Sequence, residues 1–295
     1  LVVFCAKAAL LPMYLWLPEA YARAPAAVAA LFVVMTKVGL YALLRTGTLW
    51  FGEAAGPLEG FGRQPMLVLG MVTMLVASLG VVGSLRLRIG AAYLVLMSSG
   101  MLFVAFALAR PGTIAAGLYY LPHSCFAAAA MFLIAHIVQR ERGRAGDRVL
   151  PTAPPMPALT GVLYMIAALA LVGLPPLSGF IGKFLLLADV PAADSGWVYA
   201  TVLGSSLLAL IGLSRTGSRL FWRTGREDTR VPEEEGPRVR AQEIAATIVL
   251  LGYGVAMTLA PAPVLRYTTA TAEQLLAPGE YVRQVRETTP QLRAP

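Results

Sequence analysis

Three lysines and one histidine are the residues of this chain best suited to moving a proton. Of 24 basic residues only Lys7, Lys37 and Lys183 are lysine, and all three fall inside apolar stretches, whereas almost every arginine falls in a loop or at a helix end. A desolvated ammonium can give up its proton and a guanidinium effectively cannot. Arginine therefore serves the polar boundaries here, and the lysines need a separate reason. Lys183 lies in 159–188, LTGVLYMIAALALVGLPPLSGFIGKFLLLA, which is interrupted at Gly173, Pro175 and Pro176. At about 1.5 Å per residue this stretch would overspan a bilayer core of about 30 Å as one straight helix. Two adjacent prolines forbid that, because each lacks an N–H and Pro175 pushes Leu174 out of the helical region. The expectation is two half-helices joined inside the membrane, with the freed carbonyls covered by protein or a polar cavity. A lysine beside such a break marks an ion or proton path by default. The bland alternative is a lysine snorkelling at a helix end.

Lys7 shows the mirrored order, lysine first and breaks expected afterwards at Pro12 and Pro18. Lys37 sits near the middle of an apolar helix predicted over 26–50, with Thr36 beside it and Gly39 allowing a neighbour close. His123 follows Tyr119, Tyr120 and Pro122, and its charge depends on its surroundings, so it could hand protons between lysines. A hydrogen-bonded core histidine is the rival reading. Thr36, Ser98, Ser99, Ser124 and Ser178 are candidates for holding water near these sites. His136 and Glu19 read as interface or surface residues. Ser178 reads as part of the helix break rather than a nucleophile, with no histidine or aspartate partner expected.

The elements that must position these residues are membrane helices. Hydrophobic residues make up 57% of the chain, charged residues 14%, and the mean hydropathy is +0.68. A soluble domain carries roughly 25% charged residues. The fold class expected is therefore an all-α polytopic membrane protein with about eight transmembrane helices, some discontinuous: 1–17, 26–50, 65–84, 91–109, 112–138, 159–188, 197–222 and 243–260. Alternation places loops 17–25, 85–90, 139–157 and 223–242 on one face with most of the arginines, and the positive-inside rule makes that face cytoplasmic. A polar tail is expected after 260. The chain opens as LVVFCAKAALL, without the features of a signal peptide, and reads as starting inside or just before a helix with more protein ahead of it.

Several chemistries find no support. The net charge of +8 is spread between apolar runs rather than gathered on one basic face, which argues against nucleic acid. Cys5 and Cys125 lie in apolar runs without ligand spacing. There is no dinucleotide fingerprint, P-loop or zinc-protease motif, so no cofactor, no metal site and no catalytic residue is assigned, and an enzyme in its own right is not expected.

Four stretches carry a resemblance: KAALLPMYLWLPEAYARAPAAVAALFVVMTKVGLYALLR (7–45), SLRLRIGAAYLVLMSSG (84–100), YYLPHSCFAAAAMFLIA (119–135) and GLPPLSGFIGKFLLL (173–187). Together they resemble the antiporter-like subunits shared by respiratory complex I and the multisubunit cation/proton antiporters, and in detail look most like the D-type subunits of the Mrp antiporters. The resemblance implies the C-terminal part of a fourteen-helix, inverted-repeat fold in the bacterial cell membrane. Residues 1–50 would end the first repeat, 65–222 would form the second around the broken helix 159–188, 223–242 a cytoplasmic loop, and 243–295 the final helix and tail. It implies a hydrated polar axis through Lys7, Lys37, His123 and Lys183, with the family's glutamate partner of Lys7 ahead of Leu1. Many complex I relatives carry a lysine where this chain has Ala127. The function implied is proton and Na⁺ or K⁺ translocation together with other membrane subunits, in contact with lipid. The alternatives are a proton-pumping subunit of NADH–quinone oxidoreductase, or a membrane scaffold whose lysines do no transport.

Overall fold

The computed structural model describes residues 2–150, 156–222 and 239–288. All its regular elements are helical: α1 (Val2–Lys7), α2 (Trp16–Arg23), α3 (Ala26–Trp50), α4 (Arg63–Gly83), α5 (Leu87–Ala107), α6 (Pro111–Glu141), α7 (Ala158–Val172), α8 (Ser178–Ala188), α9 (Ala192–Gly217), α10 (Ala241–Leu259), α11 (Pro261–Leu276) and α12 (Gly279–Glu287). Among the described residues six of these, α3, α4, α5, α6, α9 and α10, are long and apolar enough to cross a membrane. The two other stretches expected to cross occur as pairs of short helices, α1 with α2 and α7 with α8. Most of the loop expected at 223–242, up to residue 238, and the linker residues 151–155 lie outside the described residues.

The hub is α6. It packs against α3, α5, α7, α8, α10 and α11, and α5 beside it is almost wholly buried. Apolar lipid gives little drive for helices to associate, so such bundles rely on small residues that let backbones approach. The α4–α5 pair shows this: a Cβ at Gly100 would lie 2.6 Å from Met74 Cγ, and one at Gly70 2.9 Å from Phe103 Cβ.

Two expectations need correction. Residues 1–17 are not one helix broken at Pro12 and Pro18. α1 stops at Lys7, Ala9 adopts a left-handed backbone at φ 60°, and Pro12 lies in the non-helical stretch that follows. Pro18 falls in the first turn of α2, where a missing N–H costs nothing because no intrahelical acceptor awaits it. The polar tail expected after residue 260 is helical, with one face packed inward. α11 turns its Thr268, Ala272 and Leu275 face inward and packs along α6, and Tyr281 of α12 lies under the Arg45 guanidinium at 4.4 Å.

The ends of several helices meet on one side. The backbones at Arg86 and Arg148 pair, and Leu87 N–H donates to the Asp147 carbonyl at 2.9 Å. The buried Arg142 guanidinium ties this turn down by donating to the carbonyls of Arg148 at 2.5 Å and Leu150 at 2.8 Å. On the opposite side Arg110 pairs with Asp189 at 3.4 Å, and Asp189 also accepts from Thr113 N–H. A Gly100→Leu substitution should force α4 from α5 and lower stability by about 1–3 kcal/mol. A thermal unfolding scan in detergent reads this as a lower midpoint.

Candidate functional site

The break between α7 and α8 is built by its own sequence and then finished by side chains from elsewhere. Gly173 takes the left-handed conformation at φ 80°, and Leu174 N–H returns to the Leu169 carbonyl at 3.1 Å, so α7 ends in a Schellman turn. The Val172 carbonyl then needs a partner, while Ala170 O accepts from Gly173 N–H at 3.1 Å and keeps a second lone pair free. Lys183 Nζ donates to Val172 O at 2.5 Å, and His123 Nε2 lies 3.1 Å from Ala170 O. The covered carbonyls that a break inside the membrane requires are thus supplied by two of the ionisable residues themselves.

Lys183 also donates to Ser206 Oγ of α9 at 2.8 Å. Ser206 gives its own hydroxyl proton to the Val202 carbonyl at 2.7 Å, which leaves its lone pairs for the ammonium. Gly173 is required for this packing: a Cβ there would fall 2.9 Å from Lys183 Cδ, in a conformation that side chains rarely adopt. Gly179 does the same for the histidine, since a Cβ would fall 2.7 Å from His123 Nε2.

His123 is held between α8 and α7. A carbonyl only accepts, so Nε2 carries a proton toward Ala170 O, and in the neutral ring Nδ1 accepts from the Ser178 hydroxyl at 2.8 Å. Ser178 therefore does have a histidine partner, contrary to the expectation from its sequence neighbours. The far nitrogen meets a backbone carbonyl rather than a carboxylate, so the pair lacks the third member of a hydrolytic triad.

Lys37 of α3 repeats the Lys183 arrangement with serines of α5. Its Nζ donates to Ser98 Oγ at 2.6 Å and Ser99 Oγ at 3.2 Å, and both serines give their protons to the Val95 carbonyl. Lys37 is 1% exposed and Lys183 6% exposed.

The remaining candidates are placed differently. Lys7 is exposed, with its stem packed toward Gly39, where a Cβ would lie 3.3 Å from Lys7 Cγ. Thr36 bonds the Phe32 carbonyl and the Tyr21 hydroxyl, and Tyr21 in turn donates to Phe32 O at 2.6 Å. Ser124 bonds back to Leu121 O at 2.8 Å. At the first break Trp16 Nε1 donates to Ala6 O at 3.0 Å and Leu11 N–H to Thr73 Oγ1 at 3.1 Å. Trp16 reads in the sequence as an interface aromatic and Thr73 has no assigned role, because their partners Ala6 and Leu11 become neighbours only on folding.

A Gly173→Ala substitution should lower stability by about 1–2 kcal/mol through backbone strain alone, and more as the Lys183 stem is displaced. Gly196→Ala in α9, where a Cβ meets nothing within 4 Å, should leave the melting midpoint unchanged or slightly raised. Comparing the two midpoints checks the assignment.

Comparisons with known proteins fit this geometry. Residues 1–209 match the family model described as NADH:quinone oxidoreductase/Mrp antiporter, transmembrane. The chain is 38% identical over 96% of its length to the D-type subunit of a probable K⁺/H⁺ antiporter from Rhizobium meliloti, covering 57% of that protein. It is 31% identical over 97% of its length to the D-type subunit of the Na⁺/H⁺ antiporter from Alkalihalophilus pseudofirmus, covering 56% of it. The chain thus spans a little over half the length of these relatives. Its fold matches a chain of the Mrp complex from Dietzia sp. DQ12-45-1b with a TM-score of 0.80 at 23% identity, covering 96% of this chain and 60% of that one. It also matches a chain of respiratory complex I from Thermus thermophilus with a TM-score of 0.65 at 25% identity, covering 90% and 56%. A polytopic helical membrane fold with a lysine-bearing break, together with a family model matching most of the chain, establishes that this chain belongs to the NADH:quinone oxidoreductase/Mrp antiporter transmembrane family.

Proposed function

We propose that this chain is the proton- and cation-translocating part of a D-type subunit in a multisubunit Na⁺(K⁺)/H⁺ antiporter of the bacterial cell membrane. It works with other membrane subunits and neither makes nor breaks a covalent bond in its cargo. The observation that carries the reading is the pair of buried ammonium groups, Lys37 and Lys183, each held by neutral oxygens with His123 between them in the helix order. Such groups hold a proton at high cost and release it without breaking an ion pair. Relatives above 30% identity favour the antiporter over the complex I alternative, since those named above are D-type components of cation/proton antiporters.

In this reading Lys7, Lys37, His123 and Lys183 form a relay, and Ser98, Ser99 and Ser178 give it hydrogen-bonded steps. A proton arriving at one site makes a second charge at the next less favourable, so the sites titrate as a coupled set. The exposed position of Lys7 suits a group that meets the remainder of the longer protein found in its relatives. The fourteen-helix, inverted-repeat arrangement, with 1–50 ending one repeat and 65–222 forming the other, belongs to the same proposal. Na⁺ or K⁺ is the exchanged ion proposed.

The test uses the full-length subunit within its complex, in everted vesicles, measuring cation exchange driven by a pH gradient. Lys183→Ala and Lys183→Arg should each reduce exchange at least about tenfold, the scale on which a positioned proton donor acts, while the complex still assembles. Wild-type exchange in the Arg variant would show that a fixed charge suffices, and the relay would be wrong. Wild-type exchange in the Ala variant would favour a scaffold.

A further inference from the structure

A second cluster of ionisable groups sits at the other end of α6, where the arginine-bearing ends of the helices meet. His136 lies between Arg88 of α5 and Glu243 of α10: its Nδ1 is 3.3 Å from Arg88 Nη2, and its Nε2 is 3.6 Å from Glu243 Oε1. An arginine only donates, so Nδ1 in this arrangement is the bare acceptor and Nε2 carries the proton toward Glu243. The carboxylate is fixed by others. Arg140 reaches both its oxygens, at 3.0 and 3.2 Å, and Arg240 N–H donates to Oε2 at 3.4 Å. Glu243 is therefore a standing counter-charge beside the histidine, whose ring can carry one proton or two.

Arg88 occupies the position a second proton on the histidine would need. Its Nη1 donates to the Ala24 carbonyl at 3.1 Å, and its Nε has no partner among the described residues. The same guanidinium lines a polar cleft of about 310 Å³ with Glu19, Arg23, Arg86, Gln139 and Asp147. Asp147 already accepts from the Arg88 backbone N–H at 3.2 Å and offers the side chain an attractive charge on that side. If Arg88 turns into the cleft, Nδ1 faces water and can take a proton, which leaves His136 as a cation paired with Glu243. If Arg88 returns, the proton must leave. The charged groups that act on His136 are Arg88 from α5, Arg140 on its own helix and Glu243 from α10, with Asp147 beside Arg88. Glu141 instead faces Thr160 of α7.

The cluster is joined to the axis by α10. Glu243, Thr247, Leu251 and Gly254 follow one another on the inward stripe of that helix, and Gly254 borders a cavity of about 10 Å³ that His123, Ser178 and Ala127 also line. That volume is about what one water occupies. Glu243 and Gly254 are roughly 16 Å apart along the helix.

We propose that His136, gated by Arg88 and counter-charged by Glu243, is a proton-loading site that draws on the cleft at the arginine-rich face and exchanges protons with His123 along the α6–α10 interface. This rests on the antiporter reading above and adds to it the site of proton entry or exit. Water in the cleft gives a proton to Nδ1 and the proton on Nε2 passes to the Glu243 carboxylate, so the ring returns to neutral and the proton reaches α10.

The experiment compares wild type, His136→Asn and Arg88→Gln in the assembled complex in everted vesicles, with exchange followed across a pH series. Asn keeps a hydrogen-bonding side chain but holds no extra proton, and should lower exchange at least about tenfold and flatten its pH dependence. Arg88→Gln removes the gate and should displace the pH profile of exchange. Unchanged rate and profile in His136→Asn overturns the proposal. Should that variant fail to assemble, an unchanged profile in Arg88→Gln overturns it, and a displaced one supports it. Absence of proton-coupled exchange in the wild-type complex would instead sink the antiporter reading itself.

Discussion

Two ammonium groups are buried in this bundle with no carboxylate bonded to either among the described residues, and the rest of the structure follows from how they are satisfied. A buried ion without a counter-ion is costly unless its hydrogens are all directed at good acceptors. The chain directs two of each ammonium's three hydrogens, using serines one turn from the carbonyl that takes their proton, at Ser98 and Ser99 for Lys37 and at Ser206 for Lys183. For Lys183 it adds a backbone carbonyl freed by a helix break, at Val172. The break is thus both the cause of an unsatisfied carbonyl and the means of holding a lysine.

That pairing explains the glycines around it. Gly173 and Gly179 leave room for the Lys183 stem and the His123 ring, and α8 can approach α6 because Gly182 would otherwise press a Cβ to 3.0 Å from the Tyr120 side chain. The central helix α6 then carries His123 at the membrane interior and His136 near the arginine-rich end, each bound to a neighbouring helix through both ring nitrogens. The two differ in their partners. His123 meets neutral oxygens, whereas His136 stands between a cation and an anion, which suits an interior relay step and a boundary exchange step respectively.

Much of this is legible in the sequence for identifiable reasons. The confinement of lysine to apolar stretches and the Pro175–Pro176 pair state their consequences locally, and the break falls between Val172 and Ser178. The first break is harder to read, because Pro12 and Pro18 carry equal weight as letters. What ends α1 is the left-handed Ala9, supported by Trp16 and Thr73, and neither support is visible as a pattern. Ser98 and Ser99 read as places for water, and they bond Lys37 directly. Nothing near Ser178 in the chain announces a histidine that lies 55 positions away. Glu243 is inconspicuous for the same reason, since its partner Arg140 is 103 positions away. Residues whose meaning is a distant partner are those a single sequence conceals.

The central claim is that Lys37 and Lys183 exchange protons rather than stand as fixed charges. The most direct measurement is a solid-state ¹⁵N spectrum of the reconstituted complex in which this subunit alone carries ¹⁵N-lysine. Lys37 and Lys183 would be assigned by loss of their signals in Lys→Arg variants and followed across the pH range of active exchange. The account predicts that both signals move between the ammonium and amine positions within that range. Signals that remain at the ammonium position throughout would contradict it.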